Sequence, residues 1–235
     1  MAVYTRINES DLNLIEKNFN IGKIVSFSGI KKGIENTNYL IKTNKRKIIL
    51  TIFEKRVQKK DLPFFMDLMF GLSKNRIKCP EPIKNKKGKY LFKIKSKTAC
   101  LVSFLEGKDK NQLTNKDCFQ VGKNAALLHL AAKKLRLFRK NSLSVNSWGP
   151  LLNRIDKRIN KLSSNLINTM RTDLVDIKKK WPKSMPNGII HSDLFIDNIF
   201  FDKKKYYGFI DFYFSANDFL AYELATCVNA LCFKK

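Results

Sequence analysis

Apolar positions recur along this chain at two spacings, and the switches between them mark out the elements. Residues 8–19 open with polar Asn8 and Ser10 and carry Leu12, Leu14, Ile15 and Phe19 as a helical stripe, which predicts a first helix. From Ile24 the period shortens. Residues 24–30, 38–43 and 47–53 read as three strands of an antiparallel meander, with Gly29, Gly33 and the Asn36-Thr37-Asn38 cluster at the first turn. Leu62, Phe65, Met66, Leu68, Met69 and Leu72 restore the helical stripe over 61–75, with Asp61 as the expected N-cap before Pro63. After the rigid Cys79-Pro80-Glu81-Pro82 connector, strands over 89–94 and 98–104 complete a five-stranded sheet carrying one helix.

Glu106-Gly107 breaks the pattern, and beyond it helices dominate. Phe119, Val121, Ala125, Leu128 and Leu130 supply the expected apolar face of a helix starting near Asp117, and further helical patterns span 148–163 and 164–180. Segments 188–191, 198–201 and 208–212 look like short strands, and a last helix is expected over 218–232. No repeat of 20–50 residues is apparent, which excludes a solenoid.

Composition sharpens this picture. With 44% hydrophobic residues and 18 Phe in 235 residues, the chain can bury a core and is not a disordered basic tail. Its 46 Lys+Arg against 20 Asp+Glu give a formal charge of +26. A polyanion partner is the first thought, but the lysines are spread from Lys17 to Lys235 and sit where turns are expected, so nucleic acid is not the expected partner. Cys79, Cys100, Cys118, Cys227 and Cys232 are odd in number and form no CxxC pair, which points to a reducing cytoplasm rather than to disulfides or zinc. The start of the chain has no signal-peptide pattern, and no apolar run reaches the ~18 residues of a membrane helix.

The chemistry is concentrated in His191-Ser192-Asp193-Leu194-Phe195-Ile196-Asp197-Asn198, an H-x-D-x-x-x-x-N loop between two strand-like segments, followed by Asp211 at the end of another. Phosphoryl transfer needs a carboxylate at the acceptor hydroxyl, and an amide oxygen and a second carboxylate on the metal that bridges the phosphates. Asp193, Asn198 and Asp211 are the residue types for those three roles.

On these motifs the chain resembles the aminoglycoside-phosphotransferase-like superfamily. Gly33-Ile34-Glu35-Asn36-Thr37-Asn38-Tyr39, Ile49-Leu50-Thr51-Ile52-Phe53-Glu54-Lys55-Arg56 and Asp61-Leu62-Pro63-Phe64-Phe65 make it similar, within that group, to homoserine kinases. The resemblance implies an α+β, two-lobed protein-kinase-like fold, with a small antiparallel sheet lobe (1–105, nucleotide-binding) and a mainly helical lobe (106–235, catalytic), incomplete at its C-terminal end. It implies ATP and Mg2+ as cofactors, L-homoserine as the small-molecule substrate, Asp193 as the base and His191 as a brace. Asn198 and Asp211 become metal ligands, Gly33 and Asn36 phosphate-loop residues, and Ser103, Phe104 and Leu105 the adenine hinge. Kinases of other small alcohols such as choline, methylthioribose or an aminoglycoside remain open, as does a nucleotide-binding fragment without activity. The resemblance does not extend to oligomeric state.

Three departures from the family pattern stand out. Thr51 occupies the strand position of the usual phosphate-binding cation, with Lys42, Lys47 and Lys55 as possible replacements, and Glu223-Leu224-Ala225 replaces Asp-Leu-Ala. The chain also ends where the family usually adds helices, so the stripe Phe219, Leu220, Leu224, Val228 and Leu231 is expected to lack a covering layer.

Overall fold

A computed structural model describes residues 3–33, 35–159, 165–203 and 205–233, without the side chains of 156–159. Ile34, in the expected phosphate loop, and the junction of the two helical patterns at 160–164 lie outside the described residues.

The first half holds the expected five strands, of which β1 to β3 form the meander. Strands β1 (Ile24–Gly29), β2 (Thr37–Thr43), β3 (Lys47–Ile52), β4 (Leu91–Ile94) and β5 (Lys97–Ser103) form one antiparallel sheet in the order β1-β2-β3-β5-β4. Because side chains alternate along a strand, the sheet serves two cores. Ile48, Leu50 and Ile52 of β3 and Ala99 and Leu101 of β5 pack beneath helix α1 (Glu9–Asn18), whose Ile15 is fully buried. Cys100 and Val102 face the other way, toward α2 (Leu62–Lys74) and the second half. Asn8 and Asp11 close a capping box on α1, satisfying amides that would otherwise lack partners. Asp61 precedes α2 but, contrary to expectation, does not cap it, because its carboxylate takes the Nε–H of Arg139 at 2.8 Å.

In the second half, α3 (Asn115–Ala132) starts from a Thr114–Asp117 capping box. Its buried stripe is Val121, Ala125, Leu128 and Ala132, at spacings of 4, 3 and 4. The expected members Phe119 and Leu130 are instead 68% and 62% exposed, since each lies two residues, about 200°, from that stripe. Helices α4 (Val145–Ile159) and α5 (Leu166–Lys180) follow. Then come β6 (Asn187–Ile190), β7 (Ile199–Asp202), β8 (Lys205–Phe209), β9 (Ala216–Phe219) and α6 (Leu220–Leu231). The helix expected from residue 218 starts at Leu220, because Asp218 and Phe219 belong to β9, which pairs with β6, Gly188 facing Asp218. On α6 the expected stripe divides. Leu224 and Val228 are exposed, while Leu231 packs against the core and Phe219 stacks on Trp181. Gly107 joins the two halves at φ +99°, where an added Cβ would lie 2.7 Å from the Phe201 carbonyl oxygen, so only glycine fits. No helix among the described residues is long and apolar enough to cross a membrane.

Candidate active site

The β6–β7 connection carries the H-x-D-x-x-x-x-N motif, and buried bonds hold it from both sides. Glu223, one turn into α6 and 1% exposed, accepts the backbone N–H groups of both His191 and Ser192, the latter at 3.0 Å. His129 of α3 brings Nε2 to 3.5 Å from the same carboxylate. Ser192 sits at φ +70°, a conformation costly for a side chain with a Cβ, and the Glu223 bonds secure it there. His191 is fully buried, with Nε2 2.9 Å from the Ile210 carbonyl oxygen and its ring 4.5 Å from that of Phe212. Burial lowers its pKa, which keeps the ring neutral. It reaches no cleft surface, so its geometry suits bracing and not proton transfer to a substrate.

Asn198 ends a short 3-10 turn and immediately precedes β7. Its Nδ2 donates 2.8 Å bonds to the backbone oxygen and to Oδ2 of Asp193. Ile210 N–H bonds the Asn198 carbonyl at 3.0 Å and so extends the β7–β8 pairing, setting Asp211 beside the loop. Asp211 adopts φ +63°, which Asp tolerates better than most residues.

These residues line one cleft of about 700 Å³ between the sheet and the helical half. Gly33 and Asn36 of the β1–β2 loop line it, as do Ser103, Phe104 and Leu105 after β5, together with Asp193, Asn198 and Asp211. Gly33 (φ +101°) has open space over its Cα, and the buried Asn36 amide has an Oδ1 without a hydrogen-bond partner. Reciprocal 2.8 Å bonds with Glu81 fix Ser103.

Burial and the neighbouring Asp211 push the Asp193 carboxyl up to about 7, against the hydrogen bond from Asn198 and the pull of Arg56. Asp211 lines the cleft and is exposed there, and desolvation by the surrounding protein, with Asp197, raises it to about 6. Two mutually repelling carboxyls beside an amide whose nitrogen is already committed form a hard-oxygen set that suits a divalent cation. The cleft as a whole is acidic. Among the described residues, Glu35, Asp109, Asp193, Asp197 and Asp211 share the lining with two cationic side chains, Lys32 and Arg56, within a chain of charge +26.

The expected cations Lys42, Lys47 and Lys55 do not line the cleft, and Lys47 is paired with Glu106 instead. Thr51 does line it, its hydroxyl donating to Asn38 Oδ1 at 2.8 Å. Sequence reasoning assigned no role to Arg56 or Tyr213, and it read Glu223 only as a departure from Asp-Leu-Ala. The one available signal was that a buried acid in an otherwise apolar helix start needs partners.

Among solved structures, a spectinomycin phosphotransferase in complex with ADP and spectinomycin superposes with TM-score 0.68 at 15% identity, over 94% of this chain and 73% of its own. An amicoumacin kinase in complex with AMP-PNP and Ca2+ gives 0.69 at 15%, over 95% and 69%. The fold is therefore the two-lobed, α+β architecture of the small-molecule kinases, and residues 26–235 match the phosphotransferase enzyme family. The homoserine kinase of Allorhizobium ampelinum is 44% identical over all 235 residues, and that of Parvibaculum lavamentivorans 40% over 234, this chain spanning 73% of each. The chain belongs to the phosphotransferase enzyme family and, within it, to the homoserine kinases.

Proposed function

We propose that this chain transfers the terminal phosphoryl group of ATP to the side-chain hydroxyl of L-homoserine, giving O-phospho-L-homoserine for threonine synthesis. The observation that carries the reading is the similarity to homoserine kinases at 40–44% identity over the whole of this chain and 73% of theirs, with Asp193, Asn198 and Asp211 gathered in one cleft. Residues 1–105 act as the nucleotide lobe and 106–235 as the catalytic lobe, with Ser103, Phe104 and Leu105 holding adenine at the hinge. Five free cysteines, two of them buried, suit the cytoplasm, where ATP is available.

In this reading Asp193 receives the hydroxyl proton as the oxygen–phosphorus bond forms and the bond to the departing ADP breaks. A base near 7 is well matched to neutral pH, since its deprotonated form is populated and still basic. Asn198 and Asp211 hold Mg2+, which neutralises phosphate charge when bound. Asn198 also fixes the Asp193 carboxylate through its Nδ2. Gly33 and Asn36 bring main-chain and amide groups over the phosphates, and His191 keeps Ile210, and with it Asp211, in place.

The test is ATP consumption with L-homoserine against a panel of choline, methylthioribose and an aminoglycoside. Turnover restricted to homoserine is expected. Preference for another alcohol, or nucleotide binding without any transfer, would overturn the assignment.

A further inference from the structure

The phosphate end of the cleft presents a problem of charge, because a polyphosphate must enter a site with five carboxylates and two cations. The sheet wall does not solve it, since Thr51 is neutral and its hydroxyl is bonded to Asn38. Lys32 is paired with Asp109 and its side chain is mostly exposed. Arg56 is placed differently. It follows β3 on the short segment leading to α2, and its guanidinium lies 4.7 Å over the ring of Phe214, three residues beyond Asp211. Its Nη1 is ion-paired with Glu35 of the β1–β2 loop. The guanidinium thus stands between the phosphate loop and the Asp211 turn, and its positive charge acts on both Asp193 and Asp211.

We propose that Arg56 binds the terminal phosphate of the nucleotide and stabilises the phosphoryl group during transfer, with Glu35 competing for the same guanidinium. This rests on the kinase reading given above. Arginine suits the task, because its planar fork makes paired hydrogen bonds to phosphate oxygens and stacking on Phe214 fixes the fork in advance. A position between the β1–β2 loop and the Asp211 turn, from which its charge reaches Asp193 as well, is on the nucleotide's side of the transfer, which favours phosphate over the carboxylate of the acceptor. Glu35 gives the loop a switchable tie: the Arg56–Glu35 pair gives way as phosphate takes the guanidinium, so that one side chain both releases and replaces a contact of the loop.

The experiment compares wild type, Arg56→Ala, Arg56→Lys and Glu35→Gln, titrating each with Mg·ADP and with a non-hydrolysable Mg·ATP analogue, and measuring kcat and the acceptor KM. Arg56→Ala is expected to lower kcat by about 10²-fold or more, the scale of removing a preorganised donor from a developing charge. It should weaken the triphosphate analogue by about tenfold while ADP affinity stays within about twofold. Arg56→Lys should recover part of the loss, and Glu35→Gln should tighten the triphosphate analogue by removing its competitor. Equal loss of ADP and triphosphate binding would overturn the proposal, as would unchanged nucleotide binding with a raised acceptor KM. If Arg56→Ala does not fold, a weaker triphosphate affinity in Glu35→Gln, or full kcat in Arg56→Lys, would overturn it as well. Failure of wild type to phosphorylate homoserine, with discrimination between ADP and triphosphate still lost in Arg56→Ala, would overturn the substrate reading alone.

Discussion

The two loops that close on the cleft are held by opposite means. Buried atoms hold the catalytic loop: Glu223 accepts two of its amides, and His191 ties its start to Ile210. The β1–β2 loop is held by ion pairs, Lys32–Asp109 and Glu35–Arg56, in which both cations are more than half exposed. Buried hydrogen bonds to a charged group contribute about 1.5–3 kcal/mol each, whereas exposed ion pairs contribute roughly 0.2–1 kcal/mol. On the proposed reading, Asp193 is therefore set before substrate arrives, while the β1–β2 loop over the phosphates opens at little cost. A site that must admit a large anion and then align one oxygen needs that asymmetry.

Substitutions at each side test the contrast. Asp193→Asn should lower kcat by about 10²–10⁴ while nucleotide affinity changes little, as single-turnover and binding measurements will show. Retention of a third of the activity would remove Asp193 from the role of base. Glu223→Ala leaves the His191 and Ser192 amides without an acceptor and should cost about 2–5 kcal/mol in urea unfolding, a large share of the ~5–15 kcal/mol of a typical domain. A loss below about 1 kcal/mol would mean that the loop does not depend on α6. Asp211→Asn should blunt the magnesium dependence of nucleotide binding, seen by titrating nucleotide with and without the metal. At the weak end, Lys32→Ala should change unfolding free energy by less than about 1 kcal/mol.

The raised carboxyls add a test with a definite sign. Asp193 titrates near 7 when folded against an ordinary 3.8, so folding favours its protonated form. That contribution is fully present below about pH 4 and is lost as pH rises toward 7. Asp193→Asn removes the penalty, so the melting temperature of this inactive variant should exceed that of wild type at pH 8 and match it near pH 4. Parallel melting curves across that range would show that the carboxyl is not strained.

Much of this was legible before the structure. The spacing of Asp193, Asn198 and Asp211 pointed to side chains that the structure brings to one cleft, and alternation along β3 and β5 pointed to the sheet, because both follow from local backbone order. What failed depended on a partner distant in sequence. Phe119 and Leu130 are as apolar as their neighbours, and in a helix with apolar residues on several sides only the packing partner sets which face is buried. Asp61 has the chemistry of a cap, but Arg139, 78 residues away, claims it. Strand β9 is four residues long and exists through its pairing with β6.

The contrast between an acidic cleft and a strongly basic molecule has a kinetic consequence. At long range, a chain of charge +26 accelerates diffusional encounter with any anionic nucleotide. On the proposed reading, the acidic lining of the cleft, with five acidic and two cationic side chains among the described residues, disfavours the bare anion over the final approach relative to the form whose charge a metal has partly neutralised. Capture and selection thus operate at different distances. Salt at physiological strength, with a screening length of about 8 Å, weakens the first far more than the second. Rising ionic strength should therefore slow association while the preference for the metal-complexed nucleotide persists.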